Sequence, residues 1–259
     1  MSTRAKAVIL QSGYIPWLGF FDLINQADVF VFLDDVQWTT RDWRNRNRVR
    51  TSEGWSWLTV PVQLSKPHYE YSVKDVEIDN SRNWQEKHLR TLKSWYKKTP
   101  CFDEVYSLID SILRNTQKFV VDLNYELIFE ICNYIGLKGT KFLFSQEMSI
   151  SREIKKTEKL IGILEEIGRV TTYISGPSAK SYIEESKFEV KRIKVEWHDY
   201  HHPYYNQNTW GSNIFIPYLS IIDLLFNHGT ESLNILSCSK IIEKPVHIEV
   251  VLPDEYKRA

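Results

Sequence analysis

Two unbroken apolar runs, Ala7–Leu10 and Val29–Leu33, constrain this chain more than any other feature. A strand with one face in water alternates apolar and polar residues. A strand that is apolar at every position has protein on both faces, as in a parallel sheet covered by helices. Between the runs lies a loop, Gln11–Gly19, punctuated by Gly13, Pro16 and Gly19. Phe20–Gln26 follows, with Phe20, Leu23 and Ile24 at helical spacing. Strand, loop, helix, strand within about 30 residues is the size of a βαβ unit. In such sheets ligands bind outside the carboxyl ends of the strands. The loop after the first strand and the acids Asp34 and Asp35 after the second both fall at that edge.

The rest of the chain extends this pattern. Trp55–Val62 reads as a strand in which Pro61 marks an edge or a bend, and Val73–Ile78 as another. Asn83–Lys98, Phe102–Asn115 and Lys118–Gly136 are amphipathic helices, the first stopped by Pro100. Lys141–Phe144 is a short strand. Ser151–Gly168 reads as a helix capped at Ser149 or Ser151, with Glu153 in its first turn. Val170–Ser175 is a strand, Ala179–Glu185 a helix, Phe188–Trp197 an alternating strand, and Ile221–Asn227 a short helix closed by Gly229. The expected class is α/β: a mostly parallel sheet with flanking helices, a Rossmann-like first βαβ unit and a helical middle segment. The expected organisation is one domain over 1–242, with a helical insertion at about 83–136 and a charged extension over 243–259.

Residues 41–50, RDWRNRNRVR, hold Arg41, Arg44, Arg46, Arg48 and Arg50 in a chain with 33 basic and 33 acidic side chains. On a strand, the last four line one face, with Asn45, Asn47 and Val49 on the other. The charge balance argues against non-specific nucleic-acid binding, which needs a basic excess over a whole face. The run is then either a local anion site or a solvated edge strand.

The other groups with chemistry are few. Gln11, Tyr14 and Trp17 are costlier than a plain turn requires. The loop's backbone N–H groups would suit an anion, although it is neither GxGxxG nor a P-loop. Asp34 and Asp35 would hold a divalent cation or answer the arginines. Lys87 and His88 lie in a helix, His88 near its apolar face. His198, His201 and His202 cluster in a polar, aromatic segment after a strand, where a general base or a hydrogen-bonding group is expected more than a metal ligand. Tyr204 and Tyr205 would stack on a sugar or base, or pack. Cys101, Cys132 and Cys238 are far apart with no CxxC pair, so neither a zinc site nor a disulfide framework is expected. The N-terminal apolar run has four residues, against about 7–15 for a signal peptide. No stretch nears the roughly 18 apolar residues of a membrane span. A cytoplasmic protein with no membrane insertion is expected.

Several stretches together resemble the WbqC-like proteins of bacterial polysaccharide gene clusters. They are QSGYIPWLGFFDLI (11–24), ADVFVFLDDVQ (27–37), WRNRN (43–47), WLTVPV (57–62), KHL (87–89), ISG (174–176), HPYYNQ (202–207) and LSIIDLLFNHG (219–229). Ser12 stands where the family's opening motif is expected to carry proline. The resemblance implies O-antigen or capsule biosynthesis and a nucleotide-linked amino sugar as partner. It also implies transfer of an acyl or aminoacyl group, possible glycyl transfer included, from a thioester, an adenylate or an aminoacyl-tRNA. In that picture His202 is the first candidate base and His88 the second. Arg46, with Arg41 or Arg44, clamps a phosphate, and Arg48 and Arg50 are surface charge. Asn45 and Asn47 bond sugar hydroxyls or shape a turn. Gln11, Tyr14 and Trp17 form a rim, and Asp34 or Asp35 orients the base, the amine or a metal. The matched stretches add Lys87, Ser175, Tyr205 and Gln207 as substrate contacts. Two alternatives stand beside it. One is a magnesium-dependent nucleotidyl- or glycosyltransferase using Asp34 and Asp35. The other is a non-catalytic protein of a glycan-assembly complex.

Overall fold

The computed structural model describes residues 4–151, 153–207, 214–237 and 249–252. In chain order its elements are β1 (Ala5–Leu10), α1 (Leu18–Gln26), β2 (Val29–Phe32), β3 (Arg46–Thr51), β4 (Gly54–Thr59), β5 (Val62–Gln63), β6 (Glu77–Ile78), α2 (Trp84–Tyr96), α3 (Phe102–Arg114), α4 (Val120–Ile135), β7 (Lys141–Phe144), α5 (Lys156–Ile167), β8 (Val170–Ser175), α6 (Glu185–Val190), β9 (Lys194–Trp197), β10 (Ile214–Phe215), α7 (Ile221–His228), α8 (Ser232–Ser237) and β11 (Glu249–Val250).

Five strands form one parallel sheet in the order β7-β2-β1-β8-β9. Counted in chain order among themselves they run 3-2-1-4-5, so the winding reverses between β1 and β8. At such a reversal the loops leaving the two strands diverge and open a crevice at the carboxyl edge. The unbroken apolar runs have a direct cause. Val8, Phe30, Phe32 and Ile174 point into one core with α1, the middle helices and α7. Ala7, Ile9, Val29, Val31 and Tyr173 point into a second core with α5 and the Phe188 ring of α6. Each fully buried side chain of this size contributes about 1.5–3 kcal/mol. The helical middle segment is α2–α4, and α4 closes on Gly136, whose φ of +75° suits glycine.

Four expectations change. The helix expected over Ser151–Gly168 begins only at Lys156, after Lys155, so neither Ser149 nor Ser151 caps it and Glu153 precedes it. The upstream chain instead crosses the helix, with Ile150 laid against Gly162, where a Cβ would meet Ile150 Cδ1 at 3.1 Å. Second, Ala179–Glu185 is a 3-10 turn over Pro177–Ser181 rather than a helix. Third, Phe188 and Val190 share no strand face: they lie in α6, Phe188 buried and Val190 81% exposed, and the strand starts at Lys194. Fourth, Val73–Ile78 is a 3-10 turn over Val73–Asp75 followed by the two-residue β6. Of the expected extension over 243–259, residues 249–252 are described, and Glu249–Val250 pairs with Ile214–Phe215. The rest of it, and Cys238, lie outside the described residues. Among the described residues, no helix is long and apolar enough to cross a membrane.

Candidate functional site

The loop from β1 to α1 is held by chain from every side. The Tyr14 N–H donates to the Trp43 carbonyl at 3.0 Å, so the two backbones run close; a Cβ on Gly13 would lie 3.2 Å from the same oxygen. Ile15 has φ +39°, a strained value for a β-branched residue. Two donors hold its carbonyl there: Asn47 Nδ2 at 2.8 Å and Ser220 Oγ at 2.7 Å. Ser220 also caps α7, accepting from the Ile222 N–H, so one residue ties the loop to the start of that helix. Asn47 Nδ2 reaches the Tyr14 carbonyl as well, and Asn45 Nδ2 donates to the Val60 carbonyl. Both asparagines are buried and shape the backbone, the second of the two roles expected of them rather than bonding to sugar hydroxyls.

Asp34, fully buried, accepts from the Ser12 N–H at 3.0 Å and from Tyr125 Oη at 2.8 Å. Burial pushes its pKa up, and these bonds and Arg44 oppose the shift. The position where an anion would sit on the first loop is therefore filled by the protein's own carboxylate. Asp35 serves another element. It accepts from Ser145 Oγ at 2.5 Å and pairs with Lys159 of α5 at 2.5 Å, both partners of the ion pair buried. Neither acid answers the arginine run as a pair, although Arg44 lies near Asp34. Among the described residues no three His, Cys, Asp or Glu side chains gather as a metal site.

The arginines divide. Arg44 donates to Gln11 Oε1 and lies 3.6 Å from Asp42. Arg46 donates to the Arg41 carbonyl and stacks 4.1 Å over Trp57; Arg41 itself is exposed, with φ +58°. Arg48 and Arg50 are not surface charge. Arg48 is fully buried among Trp43, Trp55 and Trp57, and donates to the Tyr218 carbonyl at 3.0 Å. Arg50, 4% exposed, donates to Gln207 Oε1 at 2.8 Å. The strand is a hairpin arm whose partner β4 presents Trp57 opposite Arg48 and Trp55 opposite Arg50, rather than a solvated edge.

Gln207 and Tyr205 belong to that interior. Gln207 Nε2 donates to Tyr205 Oη, to the Ile216 carbonyl and to Asp223 Oδ2, and its Oε1 also accepts the Ile216 N–H. Tyr205 and Tyr96 both donate to Asp223, at 2.9 and 3.0 Å. This satisfied network docks α7 on β3 and α2, and leaves Tyr205 and Gln207 no open polar atom for a sugar. Their expected substrate contact is replaced by a structural part.

The two candidate bases differ in what they leave open. A carbonyl only accepts, so His88 Nε2–H donates to Thr59 O at 3.2 Å and its Nδ1 accepts from Tyr14 Oη at 2.9 Å. Both ring nitrogens are engaged. His202 is the other tautomer. Its Nδ1–H donates to Pro203 O at 2.9 Å, and Nε2 keeps its lone pair. That nitrogen is buried and has no hydrogen-bond partner among the described residues. Burial pushes both histidines down to about 4. Tyr200, Tyr205, Phe215 and Tyr218 surround the His202 ring, and Trp17 joins Tyr200 edge-on at 5.1 Å. The Tyr200 hydroxyl, also buried, has no partner among the described residues. His198 bonds Asp22 of α1 at 2.6 Å, and its backbone N–H donates to the Ser175 carbonyl at the carboxyl end of β8 at 2.8 Å.

Gln11, Asp34, Asp35 and Ser175 therefore gather at the carboxyl edge, and Trp17 and His202 belong to one aromatic cluster at the start of α1. Tyr14 and His88 form an inner pair, and Lys87 is exposed on α2. Sequence reasoning missed Lys159, Tyr125 and the Trp43–Trp55–Trp57 box. Lys159 had a signal: it sits four residues before Ile163, on the apolar stripe of its helix, where a cation implies a buried partner.

Over 228 residues the chain is 40% identical to the uncharacterized protein Rv1507c of Mycobacterium tuberculosis (strain ATCC 25618 / H37Rv), covering 88% of this chain and 95% of that one. Residues 11–235, from the first residue of the β1–α1 loop into α8, match one family along their whole length, and the chain belongs to the WbqC-like protein family.

Proposed function

We propose that this protein works in bacterial polysaccharide biosynthesis, transferring an acyl or aminoacyl group to the amine of a nucleotide-linked amino sugar. Family membership supports the pathway. The observation that carries the reaction is His202 Nε2: an unprotonated nitrogen, its tautomer set by Pro203, buried in an aromatic cluster with no hydrogen-bond donor among the described residues. The sugar amine supplies the missing donor. Its lone pair attacks the acyl carbon of a thioester, an adenylate or an aminoacyl-tRNA, and the new C–N bond forms as the carbonyl becomes tetrahedral. The proton on nitrogen passes to Nε2, the intermediate collapses, and the thiolate, phosphate or ribose oxygen leaves, taking up a proton. A low histidine pKa keeps Nε2 free to accept at neutral pH. It suits a cationic amine that has become acidic by attacking. Tyr200 Oη, which also has no partner among the described residues, would donate to a substrate oxygen. Trp17 and Tyr218 would wall the sugar ring.

The test is intact-mass analysis of nucleotide amino sugars incubated with the protein, candidate donors, and either magnesium or EDTA. A mass gain equal to the donor's acyl group is expected, undiminished by EDTA, with kcat reduced by about 10²–10⁴ in His202→Ala. Full activity in folded His202→Ala would remove the histidine from the reaction. No gain with any donor would defeat the transferase reading.

A further inference from the structure

Beside the β1–α1 loop, at the same edge of the sheet, the surface opens into a cleft of about 490 Å³. That lies in the range of about 300–1,000 Å³ usual for small-ligand sites. Its walls come from the ends of β1 and β2, the Tyr69–Ser72 segment, the start of α5 and Tyr182. Among the described residues four large apolar side chains stand exposed: Tyr69 at 60%, Tyr182 at 47%, Ile154 at 41% and Val190 at 81%. Three of the four line this cleft. Exposed rings gathered at one concavity suggest a flat ligand rather than chance.

The polar lining is as uneven. Lys155, just ahead of α5, and Lys156, its first residue, are exposed, and buried Lys159 is held in place by Asp35. Glu70 and Gln37 also line the cleft, and Gln11 joins it to the loop through its bond from Arg44. Charges of both signs are thus spaced along one groove, with rings at its mouth.

We propose that this cleft binds the nucleoside diphosphate part of the sugar substrate, an inference that rests on the transferase reading above. Tyr69 and Tyr182 stack the base. Glu70 accepts from the ribose hydroxyls, and the exposed Lys155 and Lys156 take the diphosphate, while Lys159 stays paired with Asp35 beneath them. The usual cradle for a diphosphate, the loop after the first strand, is unavailable because Asp34 already occupies the Ser12 N–H. The arginine run is unavailable for a related reason: Arg44, Arg46, Arg48 and Arg50 each donate to protein oxygens. The phosphate site expected at Arg46 moves to α5.

Calorimetric titration of the full-length protein with UDP and with dTDP tests this without any acyl donor. Binding is expected to weaken with added salt. It should weaken about tenfold or more in Lys155→Glu/Lys156→Glu, and about as much in Tyr69→Ala/Tyr182→Ala. All four positions are exposed or partly exposed, so these variants should melt like the parent, and Val190→Ser should bind as the parent does. No binding of either diphosphate at millimolar concentration would overturn the proposal, as would unchanged affinity in both double variants. The two readings fail separately. Nucleotide bound in the cleft with no acyl transfer defeats only the transferase. Acyl transfer with nucleotide affinity indifferent to the cleft defeats only this site.

Discussion

Arg48 carries its charge into full burial, with three indole rings around its guanidinium and the Tyr218 carbonyl at 3.0 Å. A planar, weakly hydrated cation suits such a box, whereas an ammonium is a compact, strongly hydrated point charge. Arg48→Lys should therefore lower the unfolding free energy by about 2 kcal/mol, read from urea transitions. A lysine variant as stable as the parent would show that the box does not need the fork. The alternation of arginines was legible in the sequence as a strand, and a strand it is from Arg46 on. Their surroundings were not, because an exposed face was inferred from charge without asking what lay opposite. The signal was present: Trp55 and Trp57 alternate in the next strand at the same period, and the hairpin register sets them against Arg50 and Arg48. His202 shows the converse. Its residue type suggested a base, but the tautomer that leaves Nε2 open depends on the Pro203 carbonyl, which no sequence pattern reveals.

Elements whose identity rests on burial on two faces were readable; those that rest on contact with one neighbour were not. β1, β2 and β7 were legible because each carries apolar residues at consecutive positions, a local demand, and β8 because its β-branched and aromatic residues favour a strand. α5 and α6 begin where other segments permit, Ile150 across Gly162 in one case and Phe188 stacked 5.5 Å from Tyr173 in the other. The β1–α1 loop lies between these cases. Its glycines marked it as a turn, but the use of Gly19 appears only in three dimensions. Trp17, just ahead of α1, folds its ring back over Gly19. A Cβ there would fall 2.7 Å from Trp17 Cζ3 and closer still to Cη2 and Cζ2. Gly19→Ala should displace that ring from Tyr200 and Tyr218 and cost about 1–3 kcal/mol. Near-UV circular dichroism and the melting temperature would register both changes. An unaltered near-UV spectrum would mean that the ring has room to yield. If the aromatic pocket holds the sugar, the same variant should raise KM more than it lowers kcat.

At the scale of the whole molecule the buried ionisable groups lie unevenly. The larger core takes His88, His202, Asp34 and Asp223 into or beside it, while the smaller core's edge has the paired Asp35 and Lys159. The histidines are neutral in the folded state, their pKa values pushed down to about 4 by burial, against 6.5 when solvated. Between these values the unfolded chain binds protons that the folded chain refuses. Folded stability contributed by each histidine is thus complete above about pH 6.5 and falls as the pH drops toward 4, by about 2 kcal/mol per histidine at pH 5. Asp34 and Asp223 act in the opposite sense. Burial raises their pKa values, so the folded state takes up protons from acid more readily than the unfolded chain does, which offsets part of the loss. The histidine contribution is isolated by comparison with His88→Gln, which removes one titration and leaves both carboxyls. His88→Gln should be less stable than the parent at pH 7, where it forfeits a packed ring and its bonds to Tyr14 and Thr59. The gap should narrow by about 2 kcal/mol at pH 5, because only the parent still bears that histidine's penalty. Urea unfolding of both proteins at the two pH values measures it. A gap that stays constant would mean that His88 takes up its proton as readily folded as unfolded, and that acid sensitivity enters the fold elsewhere.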